Sequence, residues 1–251
     1  MNKLLLLWIA ALILLIIIIF IPLPTILELA GKSSINSTLN STVQNLTVGL
    51  IGIQNPIAFN SSINFKQVPS ANYSLNDYNL IIISNQTYCD YGLRFALANW
   101  VRNGGRLILT GYSCTRVPDD PASIGWNVGV NSLGSVMPVV FGGVTTASLN
   151  STQSPDLITI ENGSIEIVDY SSFAFNNLSN FNFSGNMTII YPSFSGKVLG
   201  LITFENNSQN QTENQSLYAV VKSSDYNVFY LSFDPSLEPQ LTYNIIKGMT
   251  S

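Results

Sequence analysis

Apolar residues are spaced in several different ways along this chain, and each spacing predicts a different element. Leu4 to Leu23, "LLLLWIAALILLIIIIFIPL", form an uncharged run of 20 residues. At about 1.5 Å of rise per residue, such a run covers the roughly 30 Å hydrocarbon thickness of a bilayer. It predicts an N-terminal signal-anchor transmembrane helix within residues 1–25. Cleavage is disfavoured, because the apolar core of a signal peptide spans only about 7–15 residues. The best cleavage site, "ELA" before Gly31, also holds Glu28 where a small residue is wanted. "GKSSINSTLNSTVQN", residues 31–45, has no apolar periodicity and predicts a polar stalk over 26–45, ahead of a folded domain over 46–251.

Shorter apolar runs follow. "LTVGLIGI" (46–53), "YNLIIIS" (78–84) and "RLILTG" (106–111) are continuous rather than alternating. That pattern fits parallel strands covered on both faces. Between the last two, Leu93, Leu97, Trp100 and Val101 recur at helical spacing, and Gly104 is placed for a left-handed cap. Strand, helix and strand predict a right-handed crossover. Beyond residue 150 the chain changes character: "DLITIENGSIEIVDY", "NMTIIYPS", "KVLGLITFEN", "SLYAVVKS" and "NVFYLSFDP" predict strands separated by Asn, Gly and Ser turns. "NNSQNQTENQS" (206–216) reads as a polar loop between two of them, and Leu241, Ile245 and Met249 mark a final docking helix. The fold class expected is α/β, a mostly parallel sheet with β-rich additions.

Charge changes the picture by its scarcity. Charged residues make up 10% of the chain, against about 25% in an average soluble protein, so Ser, Thr and Asn must do the solvating. Fourteen Asn-x-Ser/Thr acceptor sites occur, at Asn36, Asn40, Asn45, Asn60, Asn72, Asn85, Asn150, Asn162, Asn177, Asn182, Asn186, Asn206, Asn210 and Asn214. They avoid the apolar run and are expected in exposed turns, so the domain is expected outside the cytoplasm and bearing N-linked glycans. Lys3, the only early cation, agrees with a cytoplasmic N-terminus and a single pass through the cell membrane. A surface with few ion pairs loses little in acid, and an archaeal cell surface in an acidic setting is the expected habitat. A net charge of −4 without a Lys/Arg cluster excludes nucleic acid as partner.

"DYNLIIIS", a helix closing on "WVRNGGRLILTG", and the late "LYAVVKSSDYNVFYLSFDP" resemble the class I glutamine amidotransferase-like superfamily, in particular its membrane-associated and ThuA-like branches. The resemblance implies a flavodoxin-like three-layer sandwich over about residues 46–249. It also implies roles such as accessory subunits beside MoxR-type ATPases, ABC transporters or the oligosaccharyltransferase. The catalytic pattern departs from the superfamily. The Gly-x-Cys-x-Gly elbow is absent, since the strand ends Thr110-Gly111-Tyr112-Ser113-Cys114, and the chain has no histidine to activate a thiol. Cys89 and Cys114, the two cysteines, each follow one of two neighbouring parallel strands. Both thiols then fall at one sheet edge, within reach of a disulfide in an exported protein.

Other chemistry is thin. Asp119-Asp120-Pro121 reads as a turn, and Asp234 and Glu238 flanking Pro235 read as a turn followed by a helix cap. Gly104-Gly105 precedes a strand rather than a helix, so no phosphate cradle is expected. Neither a metal site nor a cofactor is expected, and no catalytic residue is assigned. The function expected is a non-catalytic, membrane-anchored surface glycoprotein that binds a protein or glycan. An accessory subunit of a membrane complex is the alternative, and an extracellular carbohydrate-active enzyme, which needs two acids facing one pocket, is third.

Overall fold

A computed structural model of the chain describes residues 46–53, 63–69, 74–127, 129, 132–142, 157–208 and 211–251. The predicted anchor and stalk lie outside them, and among the described residues no helix is long and apolar enough to cross a membrane.

In chain order the elements are β1 (Leu46–Ile51), β2 (Ile63–Gln67), β3 (Leu80–Ile83), α1 (Tyr91–Arg102), β4 (Leu107–Thr110), β5 (Arg116–Val117), β6 (Asp120–Ile124) and β7 (Val139–Phe141). There follow β8 (Leu157–Ile167), β9 (Phe181–Thr188), β10 (Ile190–Pro192), β11 (Gly196–Ser208), β12 (Gln211–Ser223), β13 (Val228–Leu231) and α2 (Pro239–Thr250). Among the described residues nine strands form one sheet in the order β2-β1-β3-β4-β13-β12-β11-β8-β9, and β5–β6 and β7–β10 form two small ribbons.

From β2 to β13 the ladders are parallel, in the strand order of a flavodoxin-like sheet. The continuous apolar runs explain this half. Successive residues of a strand point to opposite faces, so Leu80 and Ile82 pack with Leu241, Ile245 and Ile246 of α2. Ile81 and Ile83 pack with Leu93, Leu97 and Val101 of α1 on the other side. Three layers result. At the start of α1 the Asp90 carboxylate accepts the Leu93 N–H at 2.6 Å, and the helix ends at Gly104 with φ +93°. A Cβ on the next residue, Gly105, would lie 2.3 Å from the Trp100 ring, so the chain can turn under that ring only as glycine.

From β13 to β9 the ladders are antiparallel, so the sheet is evenly mixed rather than mostly parallel as expected. Residues 111–227 join β4 to β13, and much of that insertion is hairpins. Antiparallel neighbours need only tight turns, so they extend the sheet beyond β13 without further helices. Irregularities in register between Ile160 and Gly163 and around Gly200 bend this wing. Its last strand then returns to the continuation of β13, through a Met187–Phe233 bridge and a bond of 2.7 Å from Thr188 N–H to Ser232 C=O.

Two further expectations are corrected. The tract 206–216 is not a loop: β11 runs to Ser208 and β12 starts at Gln211, with Asn206 opposite Glu213. Ladder bonds belong to the backbone, so a hairpin extends through polar residues that its composition marks as loop. The strand expected over 186–193 is divided between two sheets, β9 ending at Thr188 and β10 beginning at Ile190.

Candidate functional site

Because β3, β4 and β13 are parallel neighbours, the segments that follow them emerge at one edge of the sheet. Crevices outside the carboxyl ends of such strands are where α/β folds bind ligands. After β3 comes buried Ser84 and then exposed Asn85, at φ 58°. After β4, Gly111 and Cys114 both take φ 55°. After β13, Ser232 and Phe233 are buried and lead to Asp234. Strand β9 lies alongside, and the cleft between them has a volume of about 400 Å³.

The loop after β4 is held from several sides. Cys89 and Cys114 stand bonded as a disulfide, with Cα atoms 4.8 Å apart. Around them the two loops pair by backbone, with Cys114 N–H donating to Gln86 C=O at 2.6 Å and Cys89 N–H to Arg116 C=O at 3.0 Å. Arg94, buried on α1, donates to the carbonyls of Cys114 at 2.5 Å and Gly125 at 3.0 Å. Burial pushes the pKa of that guanidinium below its usual value. Trp126 donates its indole N–H to Ser113 C=O at 2.8 Å and packs edge-on to Tyr230 at 5.4 Å. Tyr230, in turn, donates to Gly111 C=O at 2.7 Å, and its full burial raises the phenol pKa far above the ordinary value. The Cys114 segment is therefore a packed structural corner.

Asp234 is the charged group among the described residues lining the cleft. Its Oδ2 accepts the Asn85 amide N–H at 2.6 Å, and its Oδ1 accepts Ser236 N–H at 2.8 Å and the Ser236 hydroxyl at 2.5 Å. Three donors thus hold the carboxylate still and leave room for about one more. Nearby, the Ser232 hydroxyl is buried without a hydrogen-bond partner. Glu238 does not join this group. It sits half-buried at the start of α2, and burial pushes its carboxyl up to about 7. The expected helix cap is absent, because the Glu238 side chain makes no capping bond; Pro239 opens the helix instead.

Asp119 lies in the turn between β5 and β6 with φ 61°. Asp120 opens β6, accepting the Tyr91 hydroxyl at 2.6 Å and the Ser123 hydroxyl. Those hydrogen bonds, Ser123 first, lower the Asp120 pKa. Neither aspartate reaches the cleft. Among the candidate glycan acceptors, Asn85, Asn162, Asn177, Asn182, Asn186 and Asn214 are described and exposed. Asn206 lies in β11, while Asn36, Asn40, Asn45, Asn60, Asn72, Asn150 and Asn210 fall outside the described residues. The expectation of turns holds at Asn85 and Asn177, but Asn162, Asn182, Asn186 and Asn214 are on strands. A strand with one uncovered face exposes an asparagine as well as a turn does.

What sequence reasoning missed is the Asn85–Asp234 pair, which joins residues 149 apart in the chain. The signal lay in two polar residues each placed just past a buried strand.

No family profile matches the sequence, and no curated protein matches it. Solved structures do share the fold. A β-galactosidase from Bacillus circulans superposes with TM-score 0.52 at 14% identity over 81% of this chain, which spans only 31% of that enzyme. A ThuA-like protein from Bacteroides uniformis gives 0.50 at 13% identity, covering 82% of this chain and 88% of its own. A cytoplasmic protein from Salmonella typhimurium gives 0.53 at 12% identity, covering 82% of this chain and the whole of its own. At such identities the likeness concerns the fold, and it includes the ThuA-like fold that the sequence resembles.

Proposed function

We propose that this chain is a non-catalytic, membrane-anchored, extracytoplasmic glycoprotein whose α/β domain is a binding module at an archaeal cell surface, with the carboxyl-edge cleft as its contact site. The observation that carries this reading is the disulfide at that edge. A bonded cysteine is no thiolate, and the sequence has no histidine to serve as its base. A carbohydrate-active enzyme working in this cleft would need two acids facing it, but Asp234 lines it and Glu238 does not.

A second observation favours the accessory-subunit form of the same reading. Val140 and Tyr191 face each other across the β7–β10 ribbon, 40% and 57% exposed, and the nearby turn presents a wholly exposed Phe194. Large apolar groups standing together in solvent suit a protein partner. The full chain purified from its own membranes in mild detergent should retain the peptide containing Trp8 and carry a stoichiometric protein partner. Replacing Tyr191 and Phe194 by Asp should release that partner. A soluble chain beginning near Gly31 would sink the anchor.

A further inference from the structure

The wing has one face packed and one face open, and the open face collects the glycan acceptor sites. Ile160, Ile165, Phe183, Met187 and Ile202 point into the core. On the other face the ladders place Asn182 opposite Ser164, Ser164 opposite Thr203, Asn186 opposite Thr159 and Asn214 opposite Glu205. Directly paired residues share a face, as do residues two apart on one strand. Asn182, Asn186 and Asn214 therefore stand on the same side; Asn182, Asn214 and, at the β8 irregularity, Asn162 line a shallow groove of about 1170 Å³ there, whereas Asn186 lines the carboxyl-edge cleft. Acceptors that are scattered from 162 to 214 in sequence converge from three strands.

Their spacing suits separate occupants. Asn182 and Asn214 stand three strands apart, about 14 Å at the usual strand spacing. The face also needs cover. Its charges include Glu161, Glu166 and Glu205, all acids, and β9 is the edge strand of the sheet. Apart from them the face is a broad surface of hydroxyls and amides beside a strand edge, the kind of surface that pairs with copies of itself.

We propose that Asn162, Asn182 and Asn214 carry N-linked glycans that jointly cover the open face and guard the β9 edge, whereas Asn85 stays bare. At Asn85 the nitrogen that would carry the sugar already donates to Asp234 at 2.6 Å, in a left-handed turn inside the cleft. The inference rests on the extracytoplasmic reading above.

The test is site mapping on the full chain, expressed with its N-terminal segment in a host that N-glycosylates exported proteins. Enzymatic release of glycans in heavy-oxygen water, followed by peptide mass spectrometry, marks each formerly occupied asparagine. The expected result is label on at least two of the three asparagines Asn162, Asn182 and Asn214 and none at Asn85. Label confined to other sites, such as Asn177 or the segment 31–45, with the face bare, overturns the shared-face inference but leaves the glycoprotein reading standing. Label nowhere overturns both. Label at Asn85 in folded chain overturns the claim that the cleft shields it.

Discussion

The parallel half and the antiparallel wing are built from the same extended backbone, yet they relate to solvent in opposite ways. In β3 all four residues are buried, because α1 covers one face of the strand and α2 the other. In β8 buried residues are interspersed with exposed Thr, Glu and Asn, because one face is open. The half that buries both faces supplies the loops on one side of the cleft. The half that buries one face provides area: a wide surface solvated by hydroxyls and amides in a chain that is only 10% charged. Layering, rather than strand propensity, decides which residues each half tolerates.

The contrast can be broken most forcefully at the centre of the parallel half. Ile82→Ala empties a site that is 1% exposed and should cost about 2–5 kcal/mol. For a domain of this size that lowers Tm by roughly 4–20 °C, measurable by circular dichroism. A negligible loss would mean that the two layers do not close over β3.

Next in size is the corner at the carboxyl edge. Replacing Cys89 and Cys114 by Ser opens a bridge spanning 25 residues and should remove roughly 3 kcal/mol, or about 6–12 °C in Tm. Non-reducing peptide mapping of the unaltered chain should join the two peptides. A free, rapidly alkylated Cys114 whose replacement abolishes a turnover would restore a catalytic reading.

Acidity should separate the halves. Glu238, on the α2 side, has its carboxyl raised from 4.5 to about 7 by burial. The folded state therefore binds its proton more tightly, and the stability this contributes is present below about pH 4.5 and lost as pH rises through 7. Asp169, on the wing, is lowered from 3.8 to about 2 by its bond to Lys197, 2.6 Å away, and by Ser171. Its contribution is present above about pH 3.8 and lost as pH falls through 2. Melting temperature should peak near about pH 4. Glu238→Gln should flatten the slope on the neutral side, and Asp169→Asn the slope on the acid side. Unchanged slopes in both variants would show that neither group sets the profile.

Smaller effects lie at the cleft and on the open face. Asn85→Ala removes a donor to Asp234 and should cost about 1 kcal/mol by chemical denaturation. Thr203→Ala, which loses a bond of 3.0 Å to Glu166 and a long one of 3.4 Å to Ser164 C=O, should stay within about 0.5 kcal/mol. A larger loss there would mean that the outer face is structural after all.

Much of the parallel half was legible in the chain. Runs such as Leu80–Ile83 declare burial on both faces, Gly104 marks the end of α1, and two cysteines past neighbouring strands announce their bond. The wing was legible as strands but not as a surface. Nothing local tells that Asn182 faces Ser164, or that the polar stretch after Glu205 continues a ladder. The candidate site was least legible of all, since Asn85 and Asp234 read separately as a turn residue and another turn residue.

By itself, then, the sequence determined what its short-range chemistry can encode: which segments are extended or helical, which are wrapped on both sides, and that no histidine stands ready to activate a cysteine. Tertiary structure alone decided which distant residues meet. The β8 and β11 irregularities curl the wing until Met187 reaches Phe233, and the parallel register brings Asn85 within 2.6 Å of Asp234. The reason is physical: hydrophobic periodicity is written within a few residues and fixes which face of a strand is buried, whereas which distant strand it meets, and how irregularities in the ladder bend it, depend on the whole sheet.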